Sequence, residues 1–364
     1  MKFVIAGADK EAIPYIEAVL RRSADTLCGV ITKFEPCAEV AALLKEKNIP
    51  TFESVKAFFE EGTADLVIVA SPVGSRKDYG MGALYRTDVL CAAPLMGEHV
   101  YGIDLKQEAI RWKRKLGVGF GWNYTAAMRQ LKADIAAGKL GKVKAVKGMV
   151  APVRTASYYA DSEWRGKMYD AKTRYHVYDG IVTDGGDDLL QNMMEITRSY
   201  ITDGAKFLLG RAHEIETFDT CLLKGTTELG CSVFYAASSV SDKPSLPVFE
   251  YTFEKGTVYY NGNQKDELKA VLADGTEIVY GALLADVSFD AIIDGMLECL
   301  GTDEKPICDA DATFHQLILS NLLFDNIDAV KELTAERDGD AVTVAGLANV
   351  LQTAYETETL PEAL

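Results

Sequence analysis

Spacings that hold a metal ion or form a redox dithiol are absent from this sequence. It contains no Cys-x-x-Cys pair and no His-x-x-x-His pair, and it has four histidines in all. The seven cysteines are scattered, and some lie inside apolar runs such as Leu27–Val30. This usage indicates small buried thiols in a reducing compartment. We therefore expect neither a disulfide framework nor a metal centre.

Long apolar runs are also missing, since no stretch reaches the ~18 residues of a membrane span. The chain enters an apolar strand at Met1–Ile5 without the basic and apolar regions of a signal peptide, so we expect a cytoplasmic protein. Basic residues are scarce: 38 Lys and Arg stand against 54 Asp and Glu, for a formal net charge of -16. Nucleic acids and anionic membranes need a clustered positive field. The charge favours a neutral or weakly charged small molecule as partner, and it is also a common solubility feature.

The length and apolar content of the chain fit two domains followed by a helix. The chain has 364 residues, of which 48% are hydrophobic. Short Val/Ile-rich runs alternate with helical periodicity in the first third, which is typical of a doubly wound parallel sheet. We predict a Rossmann-like domain over 1–120, an α/β domain over 121–335 and a C-terminal helix over 336–364 that packs on the body. The predicted strands of the first domain are Lys2–Gly7, Leu27–Thr32, Leu66–Ala70, Val89–Cys91 and Gly117–Phe120.

The second predicted domain begins with an amphipathic helix and continues as an open, mainly antiparallel sheet. The helix spans Ala126–Ala137 and ends at Gly138, a suitable C-cap. Hairpin turns are expected at Lys224-Gly225, Lys255-Gly256 and Asp274-Gly275. The expected strands are Val143–Val150, Ala205–Glu216, Thr217–Lys224, Leu229–Ala237, Phe249–Phe253 and Thr257–Tyr260. Two later helices are expected over Asp311–Leu333 and Thr343–Glu356.

Several short motifs occur in the order typical of one oxidoreductase family. Gly7 follows the first strand, Asp65 to Pro72 looks like D-x-V-x-I-x-[ST]-P, and Gly138 to Val143 reads as G-x-[IL]-G-x-V. Trp164-Arg165 and Asp184-Gly185-Gly186 follow. Through this order, residues 1–330 resemble the Gfo/Idh/MocA family of NAD(P)-dependent oxidoreductases. The resemblance implies an NAD or NADP cofactor, a sugar-like or cyclitol substrate, and a homo-oligomer, dimer or tetramer, formed through the exposed face of the second sheet.

The phosphate-binding loop departs from the family pattern, because Asp9 stands where the loop has its middle glycine. A glycine-rich loop lets backbone N–H groups at a helix N-terminus close on the pyrophosphate. We expect Asp9 to cap the helix and to use these donors itself. A carboxylate ~4 Å from a phosphate charge repels it by about 4 kcal/mol at an effective dielectric near 20. Lys10 offsets part of this repulsion, and a loop that turns Asp9 away removes it.

Two further positions that the resemblance assigns to cofactor binding also depart from the family pattern. The second strand ends at Thr32-Lys33 where the family binds ribose with an acidic residue, which favours NADP over NAD unless Lys33 is a solvated strand end. Where the family has Glu-Lys-Pro, the chain has Ala92-Ala93-Pro94. The resemblance gives that lysine the role of acidifying the reacting hydroxyl, which the methyl group of Ala93 cannot do. These departures make dinucleotide binding doubtful at the implied cofactor positions, which are Gly7, Asp9, Lys33, Ser71, Pro72 and Ala93.

The catalytic histidine of the family is replaced by Asp188, next to Asp187. An ordinary Asp with a pKa near ~4 is a weak base at neutral pH, although adjacent buried carboxylates raise one another's pKa. Side chains of helix neighbours point about 100° apart, which weakens such pairing. The candidate catalytic residues are Asp184, Asp188, His176 and Tyr124. The candidate substrate contacts are Trp164, Arg165, Asp187 and Arg76.

Each candidate also has a plainer interpretation. Trp164 and Tyr124 suit the face of a sugar ring or a hydrophobic core, and His176 suits acid–base chemistry or a structural hydrogen bond. Arg76 follows Ser71-Pro72 and suits a loop that binds a ligand anion, or a solvated surface. His176 with the three aspartates also offers ligands for Mg²⁺ or Mn²⁺, without the spacing of a metal site.

Three functions remain open from the sequence. The first is a family homologue with a carbohydrate or cyclitol cleft and a degenerate hydride-transfer site, acting as a non-redox enzyme or binding protein. The second is an active NAD(P)-dependent sugar or cyclitol dehydrogenase with a relocated acid or base. The third is an accessory subunit of a hetero-oligomer with an active homologue.

Overall fold

The structure is a computed structural model that describes residues 1–263 and 265–364. By its contacts the chain divides into two compact units. Unit 1 consists of Met1–Gly121, Lys172–Val177 and Ser288–Phe314. Unit 2 consists of Trp122–Ala171, Tyr178–Val287 and His315–Leu364. The predicted domains are continuous ranges, whereas two segments from the later part of the chain belong to unit 1.

Specific contacts explain why these two segments lie in unit 1. A Cβ on Gly97 would lie 2.5 Å from the carbonyl oxygen of Val177, so the Lys172–Val177 segment passes close against the backbone there. The ring of Phe289 stacks edge-on against Tyr15, with 4.7 Å between the ring centroids. Arg21 also forms an ion pair with Asp290 at 2.5 Å. Such contacts join residues far apart in the sequence and leave no local pattern.

Unit 1 is built on a parallel sheet whose central strands are apolar throughout. The strands are β1 (Lys2–Ala6), β2 (Thr26–Ile31), β3 (Thr51–Phe52), β4 (Leu66–Val69), β5 (Asp88–Cys91) and β6 (Leu116–Val118). Its helices are α1 (Ile13–Arg21), α2 (Ala38–Lys47), α3 (Val55–Glu61), α4 (Val73–Leu84), α5 (His99–Trp112) and, later in the chain, α9 (Phe289–Leu297). All four residues of β4 are buried, as expected for a parallel strand covered on both faces.

The strand order of this sheet is β3-β2-β1-β4-β5-β6. The order reverses between β1 and β4, which is the arrangement of a Rossmann sheet. Ligands of such sheets bind outside the carboxyl ends of the strands at this switch point. The predicted fold class of the first domain is therefore confirmed.

Unit 2 is built on a nine-stranded sheet. Its strands are β7 (Val143–Ala151), β8 (Lys206–Arg211), β9 (Thr220–Thr226), β10 (Ser232–Ser238), β11 (Ser245–Phe253), β12 (Gly256–Tyr260), β13 (Glu267–Leu272), β14 (Glu277–Ala282) and β15 (Lys331–Glu332). The order is β14-β13-β12-β11-β7-β10-β9-β8-β15, with parallel pairs only at β7/β10 and β8/β15 among the described strands. The mainly antiparallel sheet confirms the predicted fold class of the second domain.

Helices cover both faces of this sheet. The helices of unit 2 are α6 (Ala126–Ala136), α7 (Ala156–Ala160), α8 (Asp187–Thr197) and α11 (Leu347–Thr357), while α10 (Ala310–Phe324) contributes residues to both units. Leu189 and Met193 of α8 belong to the larger core on one face. Leu347 and Leu351 of α11 pack with Phe234 on the other face. The face that the resemblance leaves exposed is thus partly covered by α11 of the same chain.

Two predicted elements end well before the residue at which the sequence analysis ended them. The predicted strand Ala205–Glu216 ends at Arg211, because Asp219 accepts hydrogen bonds from the backbone N–H groups of Ala212 (2.9 Å) and His213 (2.8 Å) and turns the chain. The predicted helix Asp311–Leu333 ends at Phe324, where the Asn326 side chain bonds to the Leu322 carbonyl.

The expected hairpin turn at Lys224-Gly225 is also wrong. Both residues lie inside β9, and the turn that follows β9 includes Gly230 with a φ of 82°. The expected turns at Lys255-Gly256 and Asp274-Gly275 are confirmed, since β11 pairs with β12 and β13 with β14 around them. A short hairpin of β16 (Glu336–Asp338) and β17 (Ala341–Thr343) precedes α11.

Candidate functional site

Gly7 holds the carboxyl ends of β1 and β4 together. It has a φ of 129°, and a Cβ at this position would lie 2.1 Å from the carbonyl oxygen of Ala70. Its N–H donates to the Ile31 carbonyl at 2.9 Å. The backbone that follows the neighbouring strand leaves no room for a side chain at position 7. The fold therefore requires glycine here whether or not a ligand binds.

Asp9 lies at the start of a short 3-10 turn, Lys10–Ala12, that precedes α1. Its backbone is extended, with a φ of -98°, and its side chain makes no capping hydrogen bond. The expectation that this carboxylate uses the helix donors itself is therefore corrected. Its charge is among the causes that raise the pKa of Tyr79, where burial is the largest. Asp9 thus remains a half-buried negative group beside the end of β2.

Lys33 follows β2, and Ser71 and Pro72 follow β4. Lys33 is exposed, its backbone N–H donates to the Tyr79 hydroxyl at 2.9 Å, and its ammonium lies 4.0 Å from Asp78. Ser71 is buried, and Pro72 is the residue immediately before α4.

Arg76 is a structural residue. It is buried in α4 with 2% exposure, and its guanidinium donates to the backbone carbonyls of Ser71 (2.9 Å), Ala92 (3.1 Å) and Pro94. This corrects both expectations for it, a ligand-binding loop arginine and a solvated one. The guanidinium joins the end of β4 to the loop after β5. Ala93 lies in that loop, followed by a cis peptide bond to Pro94.

His176 pairs with Glu98 just before α5. Its Nδ1 lies 2.5 Å from Oε2 of Glu98, and both side chains are about a fifth exposed. Its ring stacks at 6.5 Å from Tyr101. Glu98 follows the loop that contains Ala93, so the pair lies near the carboxyl end of β5. His176 therefore belongs to unit 1, whereas Asp184, Asp187 and Asp188 belong to unit 2.

In unit 2, Asp184 is the centre of a charged cluster. Its Oδ1 accepts from the Arg154 guanidinium at 2.8 Å, and its Oδ2 accepts from the Tyr158 hydroxyl. The Arg154 guanidinium also lies 4.6 Å from the centre of the Tyr158 ring. Burial, then the charge of Asp184, raises the pKa of the Tyr158 hydroxyl well above its usual range. Tyr158 therefore stays protonated and donates.

Asp179 adds a second carboxyl group to this cluster. It is buried, with 3% exposure, and accepts from the Gly166 N–H at 2.5 Å. Burial and the charge of Asp184 raise its pKa to about 8, although the Gly166 N–H, Arg165 and Arg154 oppose the shift. Asp179 is thus protonated at neutral pH while its neighbour Asp184 holds a salt bridge. A carboxyl group with a raised pKa next to a second carboxyl group is an arrangement used for proton transfer.

Asp187 and Asp188 form the first turn of α8. Asp187 accepts from the Gly185 N–H at 3.0 Å. Burial, then the charges of Asp188 and Asp184, raises the pKa of Asp187 well above its ordinary value. The predicted mutual effect of adjacent carboxylates therefore holds for Asp187.

The remaining candidates of unit 2 differ in accessibility. Trp164 and Arg165 are half-buried, with the guanidinium of Arg165 4.2 Å from the Tyr158 ring centre and 5.4 Å from that of Trp164. Arg165 therefore joins the Asp184 cluster. Tyr124 is 5% exposed in a 3-10 turn before α6, which makes it part of the buried interior.

Three residues of this cluster were missed from the sequence, namely Arg154, Tyr158 and Asp179. Arg154 and Tyr158 lie 30 and 26 positions before Asp184, and no local pattern connects them to it. Asp179 lies close to Asp184 in the sequence, and a second acid there was the available signal. Among the described residues, no group of three or more His, Cys, Asp or Glu side chains is arranged to hold a metal ion. No helix in the described part is long and apolar enough to cross a membrane.

Comparison with known proteins finds likeness in structure. No protein-family model matches the chain, and no curated protein matches its sequence. The fold matches the WlbA dehydrogenase from Bordetella pertussis in complex with NADH and UDP-GlcNAcA, with a TM-score of 0.73 and 19% identity over 90% of this chain and 96% of that one.

Two further solved structures have the same likeness. UDP-N-acetylglucosamine 3-dehydrogenase GnnA from Acidithiobacillus ferrooxidans gives a TM-score of 0.70 at 17% identity, over 91% of this chain and 97% of that one. An oxidoreductase from Agrobacterium radiobacter in complex with NAD+, L-tartaric acid and magnesium gives a TM-score of 0.72 at 12% identity, over 90% of this chain and 96% of that one. The chain therefore has the complete fold of dehydrogenases of this architecture.

Proposed function

We propose that this chain is a homologue of the Gfo/Idh/MocA oxidoreductases that binds a sugar-like small molecule at the Asp184 cluster and has lost the family's hydride transfer. It then acts as a non-redox enzyme or a binding protein. The observation behind this proposal is the loop after β5. Ala93 stands at the position that the resemblance gives to the lysine, and the carbonyls on either side of it, those of Ala92 and Pro94, bind Arg76. That loop supplies no amine to a reacting hydroxyl.

The residues of unit 1 do not fit a tightly held dinucleotide. Asp9 presents a carboxylate at the loop where phosphates bind in such folds. A negative group at a helix N-terminus competes with phosphate for the positive end of the helix dipole. The adjacent Lys10 has an exposed side chain and lies 3.7 Å from Glu39, so part of its charge is already compensated.

The Asp184 cluster supplies what a hydroxyl-rich ligand needs. Trp164 offers a half-buried aromatic face on which the C–H side of a sugar ring can stack. Arg165 offers hydrogen-bond donors beside Trp164, and the cluster adds the carboxyl groups of Asp184 and of Asp179, whose pKa is raised. We assign acid–base chemistry to Asp179, Asp184 and Asp188, and ligand orientation to Trp164, Arg165 and Asp187. The described thiols are free, in keeping with a protein of the reducing cytoplasm.

Titration with NAD+, NADH, NADP+ and NADPH tests the loss of hydride transfer. We expect no binding below millimolar cofactor, and a dissociation constant in the micromolar range would contradict the proposal. A thermal-shift panel of sugars, sugar acids and cyclitols tests the ligand class. We expect a hit to stabilise the wild type and not Asp184→Asn. The matched control is Asp203→Asn, which removes an exposed carboxylate from a turn of the same unit.

An active NAD(P)-dependent dehydrogenase is the second candidate. It is favoured by the likeness to NADH-bound structures and by the His176–Glu98 pair, which gives unit 1 an acid–base group near the carboxyl end of β5. In that case NADH binds tightly and His176→Asn lowers turnover by about 10²-fold or more. Unchanged turnover would remove His176 from the mechanism.

We also propose a homo-oligomer formed through the part of the second sheet that α11 leaves open. Val271 of β13 and Val279 of β14 are 39% and 49% exposed there. Light scattering at micromolar protein concentration checks this, and a monomer at that concentration would contradict it.

A further inference from the structure

The Lys172–Val177 segment follows the carboxyl edge of the parallel sheet in unit 1. Its contacts begin beside Phe34, which follows β2, and end beside Gly97 and Glu98, which follow β5. This edge, on both sides of the switch point between β1 and β4, is where sheets of this order bind dinucleotides. The segment therefore contacts residues that follow strands on both sides of this switch point.

The contact at the end of β5 is made through the backbone. A Cβ on Gly97 would lie 2.5 Å from the carbonyl oxygen of Val177 and 2.6 Å from that of His176. The His176 side chain adds its hydrogen bond to Glu98 at 2.5 Å. Glycine permits this approach because any side chain would collide with the segment. The segment thus lies directly against the chain just before α5.

Tyr175 holds the middle of the segment. Its hydroxyl donates to Asp78 of α4 at 3.1 Å, and its ring lies 5.0 Å from that of Tyr101 in α5. The ammonium of Lys77 lies 4.6 Å from the centre of the Tyr101 ring and 5.6 Å from that of Tyr175. The Tyr175 side chain thus contacts both α4, which follows β4, and α5, which follows β5.

The end of the segment near β2 contacts an aromatic ring. The ammonium of Lys172 lies 5.3 Å from the centre of the Phe34 ring, and Lys172 is exposed. Arg174, between the two anchored ends, has a φ of 66° in the left-handed region, which non-glycine residues rarely adopt. Backbone strain of this kind favours release of a segment once competing contacts form.

We propose that the Lys172–Val177 segment is an internal occupant of the dinucleotide crevice of unit 1, and that a dinucleotide enters only when the segment is displaced. The inference rests on the proposed function for its premise that this crevice does not hold a dinucleotide tightly. When the open form is a small fraction of the molecules, the apparent dissociation constant rises by the inverse of that fraction. An open fraction of about one tenth therefore weakens binding about tenfold.

A four-protein comparison separates the segment from the charge of Asp9. The proteins are the wild type, Asp9→Gly, Tyr175→Ala and the double variant, each titrated with NADH while its fluorescence is recorded. Tyr175→Ala removes the ring contact with Tyr101 and the hydrogen bond to Asp78, so the closed form loses its central anchor. We expect it to tighten NADH binding about tenfold or more relative to its own parent, in the Asp9→Gly background at least.

Tyr85→Ala is the matched control. It removes a tyrosine ring that lies 4.6 Å from Trp112, just after α4 and away from the segment, and should leave NADH affinity unchanged. Equal affinity with and without Tyr175 overturns the inference, and so does weaker binding, which would make the segment part of the cofactor site. Absence of binding by all four proteins overturns it too and leaves the proposed function standing. Micromolar binding by the wild type contradicts the proposed function instead, and the ratio between variants still decides the inference.

Discussion

The carboxyl edge of unit 1 and the Asp184 cluster of unit 2 use polar groups in opposite ways. At the edge, Arg76 donates to backbone carbonyls and Gly7 allows two strands to approach, so these residues support the architecture. In the cluster, Arg154 and Tyr158 bind one carboxylate, and a protonated carboxyl group lies beside it. Backbone contacts preserve a fold whatever chemistry it performs, whereas a buried set of titratable side chains is costly to keep without a use.

The largest expected effect separates architecture from chemistry at Arg76. Arg76→Met should lower the free energy of unfolding by about 4 kcal/mol, because it leaves buried carbonyls of Ser71, Ala92 and Pro94 without a donor. Urea unfolding measures the change. Arg86→Met, which loses a cation–π contact with Tyr85, is the control and should cost under about 1 kcal/mol. If Arg76→Met lowered the free energy of unfolding as little as the control does, Arg76 would not be needed for the fold and would again be a candidate ligand-binding residue.

Gly7→Ala tests the same edge at the backbone. The new Cβ would lie 2.1 Å from the Ala70 carbonyl oxygen at a φ of 129°, so we expect about 3 kcal/mol of destabilisation. Gly204→Ala is the control, since nothing lies within 4 Å of its Cβ position. If both variants unfold at the same urea concentration, the two strands do not need a glycine to approach, and Gly7 must be explained by a ligand.

The sequence predicted the fold well and the site in part. Apolar strands such as Leu66–Val69 have a pattern of their own, and the resemblance supplied their order. The resemblance also identified Asp184, but its partners Arg154 and Tyr158 come from distant positions that meet only in the folded unit. Arg76 was expected in a loop because it follows Ser71-Pro72, whereas the chain forms α4 there and buries the guanidinium.

The pH dependence of stability tests the cluster. The pKa of Asp179 is about 8 in the folded state and near ~4 in the unfolded chain. A raised pKa contributes stability that is complete below the unfolded value and is lost as pH rises through the folded value. The wild type should therefore lose stability steadily as pH rises from about 4 to about 8.

Asp179→Asn keeps an acceptor for the Gly166 N–H and does not titrate, so its stability should fall less over this range. Denaturant midpoints at several pH values give the comparison, with Asp203→Asn as an exposed control. Parallel pH profiles of stability for wild type and Asp179→Asn would show that Asp179 does not hold the proton. The Asp184 cluster would then support the fold alone, as the residues at the carboxyl edge of unit 1 do.

The smallest expected effect is the change in dinucleotide affinity when the negative charge of Asp9 is removed from the carboxyl edge of unit 1. Asp9→Gly should tighten dinucleotide binding about tenfold, or about 1.4 kcal/mol, because it removes a carboxylate from the loop that faces the phosphates in this fold. Glu11→Gln removes a like charge from the same 3-10 turn and is the control for a general field effect. Equal gains from both variants would mean that net charge, and not the position of Asp9, limits binding. No gain from either would leave the Lys172–Val177 segment as the feature that closes the edge, and the contrast between the two units would then be one of access as well as of side-chain chemistry.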